Sequence, residues 1–237
     1  MTGEVTGGTP LEPLEDLGRV AVLAPHPDDE SLGCGGLIVR LSEIGRPPLV
    51  VMVSDGTGSH PNSATFPPER LRRVREDETS EALAALGLPG SPVFLRLRDT
   101  AVPHPGSDGF DAAASRIAAI LSDGGIDTLA VSFRDDPHCD HQASFALAQA
   151  AIGLSGRAVR LLEYVIWNES AQAGVPPGFR ALHLDIARVL DRKLKAIACH
   201  RSQTTDMISD DSGGFRLDPS MLERFDRPVE TYLEALP

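Results

Sequence analysis

The sequence has few cysteines, no long apolar run and fewer basic than acidic residues. Each of these shortages argues against one class of protein. Its three cysteines, Cys34, Cys139 and Cys199, are widely spaced and odd in number, which argues against a disulfide framework and for a reducing, cytoplasmic setting. A membrane-spanning helix needs about 20 consecutive apolar residues, and no such run occurs, so no membrane span is expected. The N-terminus lacks the basic and apolar regions of a secretory signal.

Charge and length narrow the function classes further. Lys and Arg number 22 against 34 Asp and Glu, giving a net charge of −12 that repels phosphate backbones, so we expect no nucleic-acid partner. A chain of 237 residues, 41% hydrophobic, can bury a core without disulfides. We expect a loose polar leader over residues 1–17 and a single domain over residues 18–237. The sequence leaves the oligomeric state open, a homo-oligomer included.

Short apolar runs alternate with helical patterns along most of the chain. Strands are predicted at 18–24, 48–54, 92–97, 127–133, 159–168 and 179–186. Helices are predicted at 32–44, 68–86, 111–121, 140–152 and 186–199, with a last helix at 229–236. This alternation indicates an α/β fold, a Rossmann-like, mostly parallel sheet with helices on both faces. Ligands of such sheets bind outside the carboxyl ends of the strands.

Two polar motifs follow predicted strands and therefore fall at that ligand-binding edge. The first, APHPDDESLGCGG, runs from Ala24 to Gly36, and its His26 and Asp29 are spaced to converge on a cation. A helix-capping role explains the acids alone, but it leaves the histidine and the three glycines unexplained. Glu30 is interpreted as part of the helix start.

The second motif, DPHCDH, runs from Asp136 to His141, and its two histidines stand three residues apart at the start of a predicted helix. One of them, with His26 and Asp29, completes a site of two histidines and one carboxylate. Three protein ligands with an open position are typical of catalytic zinc, and the same ligands suit ferrous iron. Asp28, His138 and Asp140 then remain for acid–base work.

These motifs together resemble the PIG-L (LmbE-like) deacetylase family. Weaker matches support the resemblance at SDGTGSHP (54–61), REDETSEALAALG (75–87), LRD (97–99) and KLKAIACHRSQ (193–203). The similarity extends over roughly residues 18–205. It implies a zinc-dependent N-deacetylase that removes the acetyl group from an N-acetylglucosamine unit joined to another moiety, by attack of zinc-activated water on a small-molecule amino-sugar conjugate.

The resemblance also implies a role for each matching residue. Zinc is held by His26, Asp29 and His141, and another divalent metal such as Fe²⁺ stays open. Asp28 is the general base, His138 is the electropositive group at the tetrahedral intermediate, and Asp140 orients a histidine. With less support from the motifs, Arg75 and Asp99 hold sugar hydroxyls.

The sequence departs from the family pattern at two places. Cys139 stands where the second motif usually has proline, and no tyrosine precedes the motif in SFRDDPHCDH, which leaves the acid that protonates the leaving group open. Three alternatives stay open as well: an amidase that cleaves a larger acyl group, a catalytically silent carbohydrate-binding homologue, and a ferrous oxygenase.

Overall fold

The computed structural model describes residues 9–88 and 90–236, apart from the side chain of Gln172. The strands are β1 (Thr9–Pro10), β2 (Val20–Ala24), β3 (Leu49–Ser54), β4 (Val93–Leu97), β5 (Thr128–Ser132), β6 (Arg160–Tyr164), β7 (Phe179–Asp185) and β8 (Val229–Ala235). The main helices are α1 (Asp29–Glu43), α2 (Pro68–Ala85), α3 (Phe110–Asp123), α4 (Cys139–Ser155), α5 (Glu169–Ala173) and α6 (Leu190–Cys199), followed by the one-turn helices α7 (Arg201–Thr204) and α8 (Pro219–Leu222).

The strands form one eight-stranded sheet in the order β1-β7-β8-β6-β5-β2-β3-β4. Among these strands β8 alone runs antiparallel to its neighbours, β6 and β7. The predicted Rossmann-like, mostly parallel α/β fold is therefore confirmed. The chain passes from β2 through β3 to β4 on one side and then returns to place β5 on the other side of β2. This reversal opens a crevice at the carboxyl ends of β2 and β5, the usual ligand site of such sheets.

Helices cover both faces of the sheet. Alternate residues of β2 pack against the helices on opposite faces. Val20 and Val22 contribute to an apolar cluster shared with α1, α2 and α6, whereas Ala21 and Leu23 contribute to a second cluster shared with α3 and α4. Because successive strand residues point to opposite faces, an all-apolar strand is buried from both sides. The two motifs therefore emerge from a rigid, fully packed platform.

Two predictions, the extent of the N-terminal leader and the last helix, need correction. Residues 1–8 of the predicted leader lie outside the described residues, but residues 9–17 belong to the fold: Thr9 and Pro10 pair with β7, and Leu14 and Leu17 are buried in the core. The predicted last helix at 229–236 is wrong, because Val229–Ala235 forms β8 between β6 and β7. None of the described helices is both long and apolar enough to cross a membrane.

Candidate active site

The predicted site residues come together at the crevice between β2 and β5. His26 and Asp28 lie in the turn after β2, and Asp29 begins α1. His138 precedes α4, which carries Asp140 and His141 in its first turn. From the neighbouring side come Arg75 of α2 and Asp99, which follows β4. All eight predicted residues are thus placed at one end of the sheet.

His26, Asp29 and His141, here called the metal triad, present three ligand atoms in a nearly equilateral triangle. His26 Nδ1 lies 3.2 Å from Asp29 Oδ2, His141 Nε2 lies 3.2 Å from the same oxygen, and the two nitrogens are 3.3 Å apart. Ligand atoms around a tetrahedral zinc, with bonds of about 2.0–2.1 Å, are about 3.3–3.4 Å apart. The side chains present therefore fit a single zinc-sized ion with an open fourth position.

The outer nitrogen of His26 is held by two carboxylates. His26 Nε2 lies 3.2 Å from Asp99 Oδ1 and 3.2 Å from Asp140 Oδ2. Asp140 also accepts backbone N–H groups from Thr100 at 2.7 Å and Val102 at 3.1 Å, so its position is set by the loop after β4. A carboxylate behind a metal-binding histidine orients the ring and makes the ligand nitrogen more basic. The Asp140 carboxylate thus contacts His26, whereas its backbone N–H contacts His138.

His141 has an equivalent support that the sequence analysis did not assign. Asp136 is fully buried, and its Oδ1 lies 3.3 Å from His141 Nδ1 while accepting the backbone N–H of His138 at 3.0 Å. Its other oxygen accepts the backbone N–H of Trp167 at 2.9 Å. The residue stands inside the DPHCDH motif, so its position was visible, but its partner His141 was not.

The charge state of the triad without metal also indicates a cation site. Burial lowers the pKa of His141, but the charge of Asp29 and the Asp136 carboxylate 3.3 Å from Nδ1 outweigh it and raise the pKa to about 9. Burial likewise lowers the pKa of His26, and hydrogen bonds with three carboxylates raise it well above its usual value. The carboxylates thus draw protons onto both histidines, and a divalent cation at the triad would replace that charge.

Asp28 lies beside the triad in an unusual backbone conformation, with φ of 150°. Although it occupies the N-cap position of α1, its side chain makes no capping hydrogen bond, and Arg75 Nη2 lies 3.2 Å from Asp28 Oδ2. Burial raises the pKa of Asp28 to about 6, while the charge of Arg75 opposes the rise. A carboxylate with a pKa near neutrality is suited to general-base work.

The backbone of Asp28 is tied down by Glu30. Glu30 Oε2 accepts the Asp28 N–H at 3.0 Å, while Oε1 accepts from Ser31 Oγ at 2.6 Å and lies 2.9 Å from His200 Nε2. Glu30 therefore does serve the helix start, as its sequence position suggested. Its buried contact with His200, at the C-terminal end of α6, is the part that sequence reasoning missed.

His138 lies against the triad, with a ring nitrogen within 4.8 Å of ligand nitrogens of His26 and His141. Its ring centroid is 4.6 Å from that of His26 and 5.1 Å from that of His141. The backbone N–H of Asp140 donates to His138 Nδ1 at 3.2 Å, so this nitrogen is an acceptor and the neutral ring carries its proton on Nε2. Burial and the nearby histidines lower the pKa of His138, which also favours the neutral ring.

A cavity of about 440 Å³ opens onto the triad, within the usual size range of small-molecule sites. Asp28, Arg75, Asp99 and His138 line it together with residues the sequence analysis did not select: Ser59, Trp167, Gln203 and Phe215. Arg75 is 2% exposed, and its Nη atoms donate to Gly56 O, Pro27 O and Asp28 Oδ2. Arg75 therefore already shapes the wall around Asp28.

Gln203 lines this cavity and has an unpartnered side-chain oxygen. Its Nε2 donates to Ser202 Oγ at 3.1 Å and to Ser59 Oγ at 3.3 Å. Ser202 Oγ itself donates to Glu78 at 2.6 Å, so it can only accept from Gln203, and this fixes which end of the amide is which. Gln203 Oε1 is buried without a hydrogen-bond partner among the described residues.

The chain is therefore a Rossmann-like α/β protein with a His/Asp metal-site candidate at the carboxyl ends of its strands. Residues 21–152 match the PIG-L family, described as GlcNAc-PI de-N-acetylase. The chain belongs to this family, as its motifs predicted, and it is an N-deacetylase, a hydrolase.

Individual relatives cover most of the chain. A probable N-acetyl-alpha-D-glucosaminyl L-malate deacetylase 2 of Bacillus cereus is 27% identical over 81% of this chain and 86% of its own length. The 2'-N-acetylparomamine deacetylase of Streptomyces fradiae is 27% identical over 80% of this chain and 75% of its own length.

Solved structures share the fold. The N,N'-diacetylchitobiose deacetylase of Pyrococcus horikoshii superposes with a TM-score of 0.73 and 22% identity, covering 95% of this chain and 86% of that one. The 4-carboxy-2-hydroxymuconate hydratase of Pseudomonas putida superposes with a TM-score of 0.66 and 18% identity, covering 92% of this chain and 96% of that one. Because these reactions differ, the likeness in fold does not by itself decide the chemistry.

Proposed function

We propose that this protein is a zinc-dependent hydrolase that removes the N-acetyl group from a small-molecule conjugate of N-acetylglucosamine. One observation carries the proposal: the three ligand atoms of the metal triad lie 3.2–3.3 Å apart, with the Asp28 carboxylate beside them. When bound, zinc would polarise the acetamide carbonyl and lower the pKa of a water molecule. A spare base beside a three-ligand metal site is what amide hydrolysis requires.

The roles of the neighbouring residues follow from their contacts. Asp28 takes the proton of the attacking water, because its pKa of about 6 leaves it ionised at neutral pH and able to accept a proton. His138 donates a hydrogen bond from Nε2 to the carbonyl oxygen as negative charge develops there. This hydrogen bond comes from a neutral imidazole, because the Asp140 N–H occupies Nδ1. The amine leaves with the proton that Asp28 took from the water, giving acetate and a free amino sugar.

Other buried residues hold this arrangement in place. Asp99 and Asp140 orient His26, and Asp136 orients His141, so each histidine ligand has a carboxylate behind it. The Arg75 guanidinium forms an ion pair with the Asp28 carboxylate and so positions it and partly stabilises its negative charge. Arg75 and Asp99 also line the cavity, and contact with sugar hydroxyls remains their proposed second role.

The intact acid–base set argues against a silent carbohydrate-binding homologue, because binding alone does not need Asp28 beside the ligands. A hydratase is known with the same fold, so addition of water to a double bond is one alternative reaction. An amidase that cleaves a larger acyl group is another, and it would use the same residues. Product analysis separates the three: acetate and a free amine identify deacetylation, a longer acid identifies the amidase, and water addition yields neither.

The test compares metal content and acetate release in the purified protein and its variants. We expect about one zinc per chain and acetate release from N-acetylglucosamine conjugates. His141→Ala and Asp29→Ala should lose both zinc and activity, whereas Asp28→Asn should keep zinc and lose activity. Activity that persists in a zinc-free triad variant would overturn the proposal.

A further inference from the structure

We propose that the natural substrate carries an uncharged second ring beyond its N-acetyl sugar, and that Trp167 and Phe215 hold the two rings. The inference rests on the proposed deacetylase function and deepens it by naming the class of conjugate. The observation that carries it is an aromatic wall built along the catalytic cavity, whose only lysine or arginine among the described lining residues is the ion-paired Arg75.

The aromatic wall reaches from the metal triad to the mouth of the cavity. Trp167 and Phe215 both line the cavity, with ring centroids 6.0 Å apart and planes at 82°. The backbone N–H of Trp167 is bound by Asp136, which also touches His141, so Trp167 stands near the triad. Phe215 is 42% exposed and therefore stands at the mouth. Sugar rings present flat C–H faces that pack against aromatic rings, which supply a large apolar contact area.

Phe215 is held in this exposed position by its neighbours along the chain. Its backbone N–H donates to Ser59 O at 2.7 Å, which ties its loop to the turn after β3. Gly214 approaches His60 so closely that a Cβ would lie 2.2 Å from His60 Cδ2. On the other side, the Trp167 ring meets Phe225 edge-on at 6.5 Å. The wall is therefore shaped before any ligand binds, which lowers the cost of ordering it.

The cavity gives an anionic group no free cation. Among the described lining residues Arg75 is the only lysine or arginine, and it is committed to Asp28 and to backbone carbonyls. Arg216, next to Phe215, is ion-paired with Asp206. The exposed Arg98 lies outside the lining. A carboxylate placed here would lose hydration without gaining a partner, which is unfavourable.

A cationic group on the second ring is also disfavoured in this cavity. The carboxylates that line the cavity are Asp28, Asp29 and Asp99, and each already faces Arg75 or His26. An ammonium group drawn to them would compete with the metal triad instead of occupying a separate subsite. A neutral ring stacked on Phe215 avoids both penalties, so the lining selects an uncharged glycan or glycoside.

The test measures kcat/KM for acetate release from four probes. They are free N-acetylglucosamine, its anionic malate conjugate, the cationic 2'-N-acetylparomamine and the neutral N,N'-diacetylchitobiose. We expect diacetylchitobiose to be the best of the four. Phe215→Ala should lower its kcat/KM by about 10-fold or more and that of free N-acetylglucosamine by much less. Phe215→Tyr should restore most of the loss, and Leu154→Ala, which removes an apolar side chain that is 60% exposed outside the cavity, should change neither.

The outcomes separate the two proposals. A preference for the malate or paromamine conjugate, or an equal loss on all four probes in Phe215→Ala, would overturn the inference and leave the deacetylase assignment standing. An additional loss of malate-conjugate turnover in Arg98→Ala would identify the cation that such a preference needs. If no probe yields acetate with zinc bound, the proposed function fails, and this inference fails with it.

Discussion

Asp28→Asn should separate metal binding from catalysis more cleanly than any other single change. Asparagine keeps the shape of the side chain but cannot accept a proton from water. The triad atoms are contributed by other residues, so zinc content should stay at the wild-type level. Loss of a general base costs about 10²–10⁴-fold in rate, and we expect kcat to fall within this range.

The pH profile gives the same prediction a second, quantitative form. With a pKa of about 6 for Asp28, about nine-tenths of the protein has an ionised base at pH 7 and about one-tenth at pH 5. A bound dication favours the ionised form, so it shifts this limb downward and never upward. The wild-type kcat/KM should therefore rise with pH through a limb at or below about pH 6, and Asp28→Asn should lack that limb.

The measurement is kcat/KM for acetate release between pH 4.5 and pH 9, with zinc content determined on the same samples. Asp111→Asn, an exposed aspartate at the start of α3, is the matched control and should behave as wild type. If zinc-loaded Asp28→Asn turns over within about 3-fold of wild type, or keeps the acidic limb, the assignment of Asp28 as the base is refuted.

Three further predictions test the surrounding structure. Zinc binding at pH 7 should release at least one proton, since His141 has a pKa of about 9 without metal and the pKa of His26 is also raised; calorimetry in buffers of different ionisation enthalpy measures this, and release near zero would contradict it. Asp136→Asn should weaken zinc binding about 10–100-fold in a competition titration, and unchanged affinity would contradict its orienting role. Gly33→Ala should lower the free energy of unfolding by about 1–3 kcal/mol in denaturant titrations, because the new Cβ would lie 2.3 Å from a Tyr164 ring carbon, whereas Gly153→Ala meets nothing within 4 Å and should not destabilise.

The sequence was most informative where a polar motif directly follows a predicted strand. The segment Val20–Ala24 is apolar throughout, so a polar motif directly after it had to lie at the edge of a buried strand. The same reasoning applied to β5 and the DPHCDH motif. Because parallel strands end at the same edge of a sheet, strand patterns alone were enough to place the two motifs together.

Tertiary packing decided what the sequence could not. The last segment, Val229–Ala235, has apolar residues at helical spacing, but its pairing with β6 and β7 makes it a strand, and local pattern does not report such partners. Spacing left open which histidine of the second motif faces Asp29, and the fold turns His141 Nε2 toward it. Phe215 and Trp167 are 48 residues apart in sequence and carry no motif, so only the folded chain shows them as one wall.

Zinc-dependent deacetylation is tested most directly by acetate release from N,N'-diacetylchitobiose before chelation, after chelation and after stoichiometric zinc is added back. We expect that chelated protein releases no acetate, that one zinc per chain restores release, and that zinc does not restore Asp29→Asn. Full activity in the chelated protein, or restoration of Asp29→Asn to the wild-type rate, would contradict it.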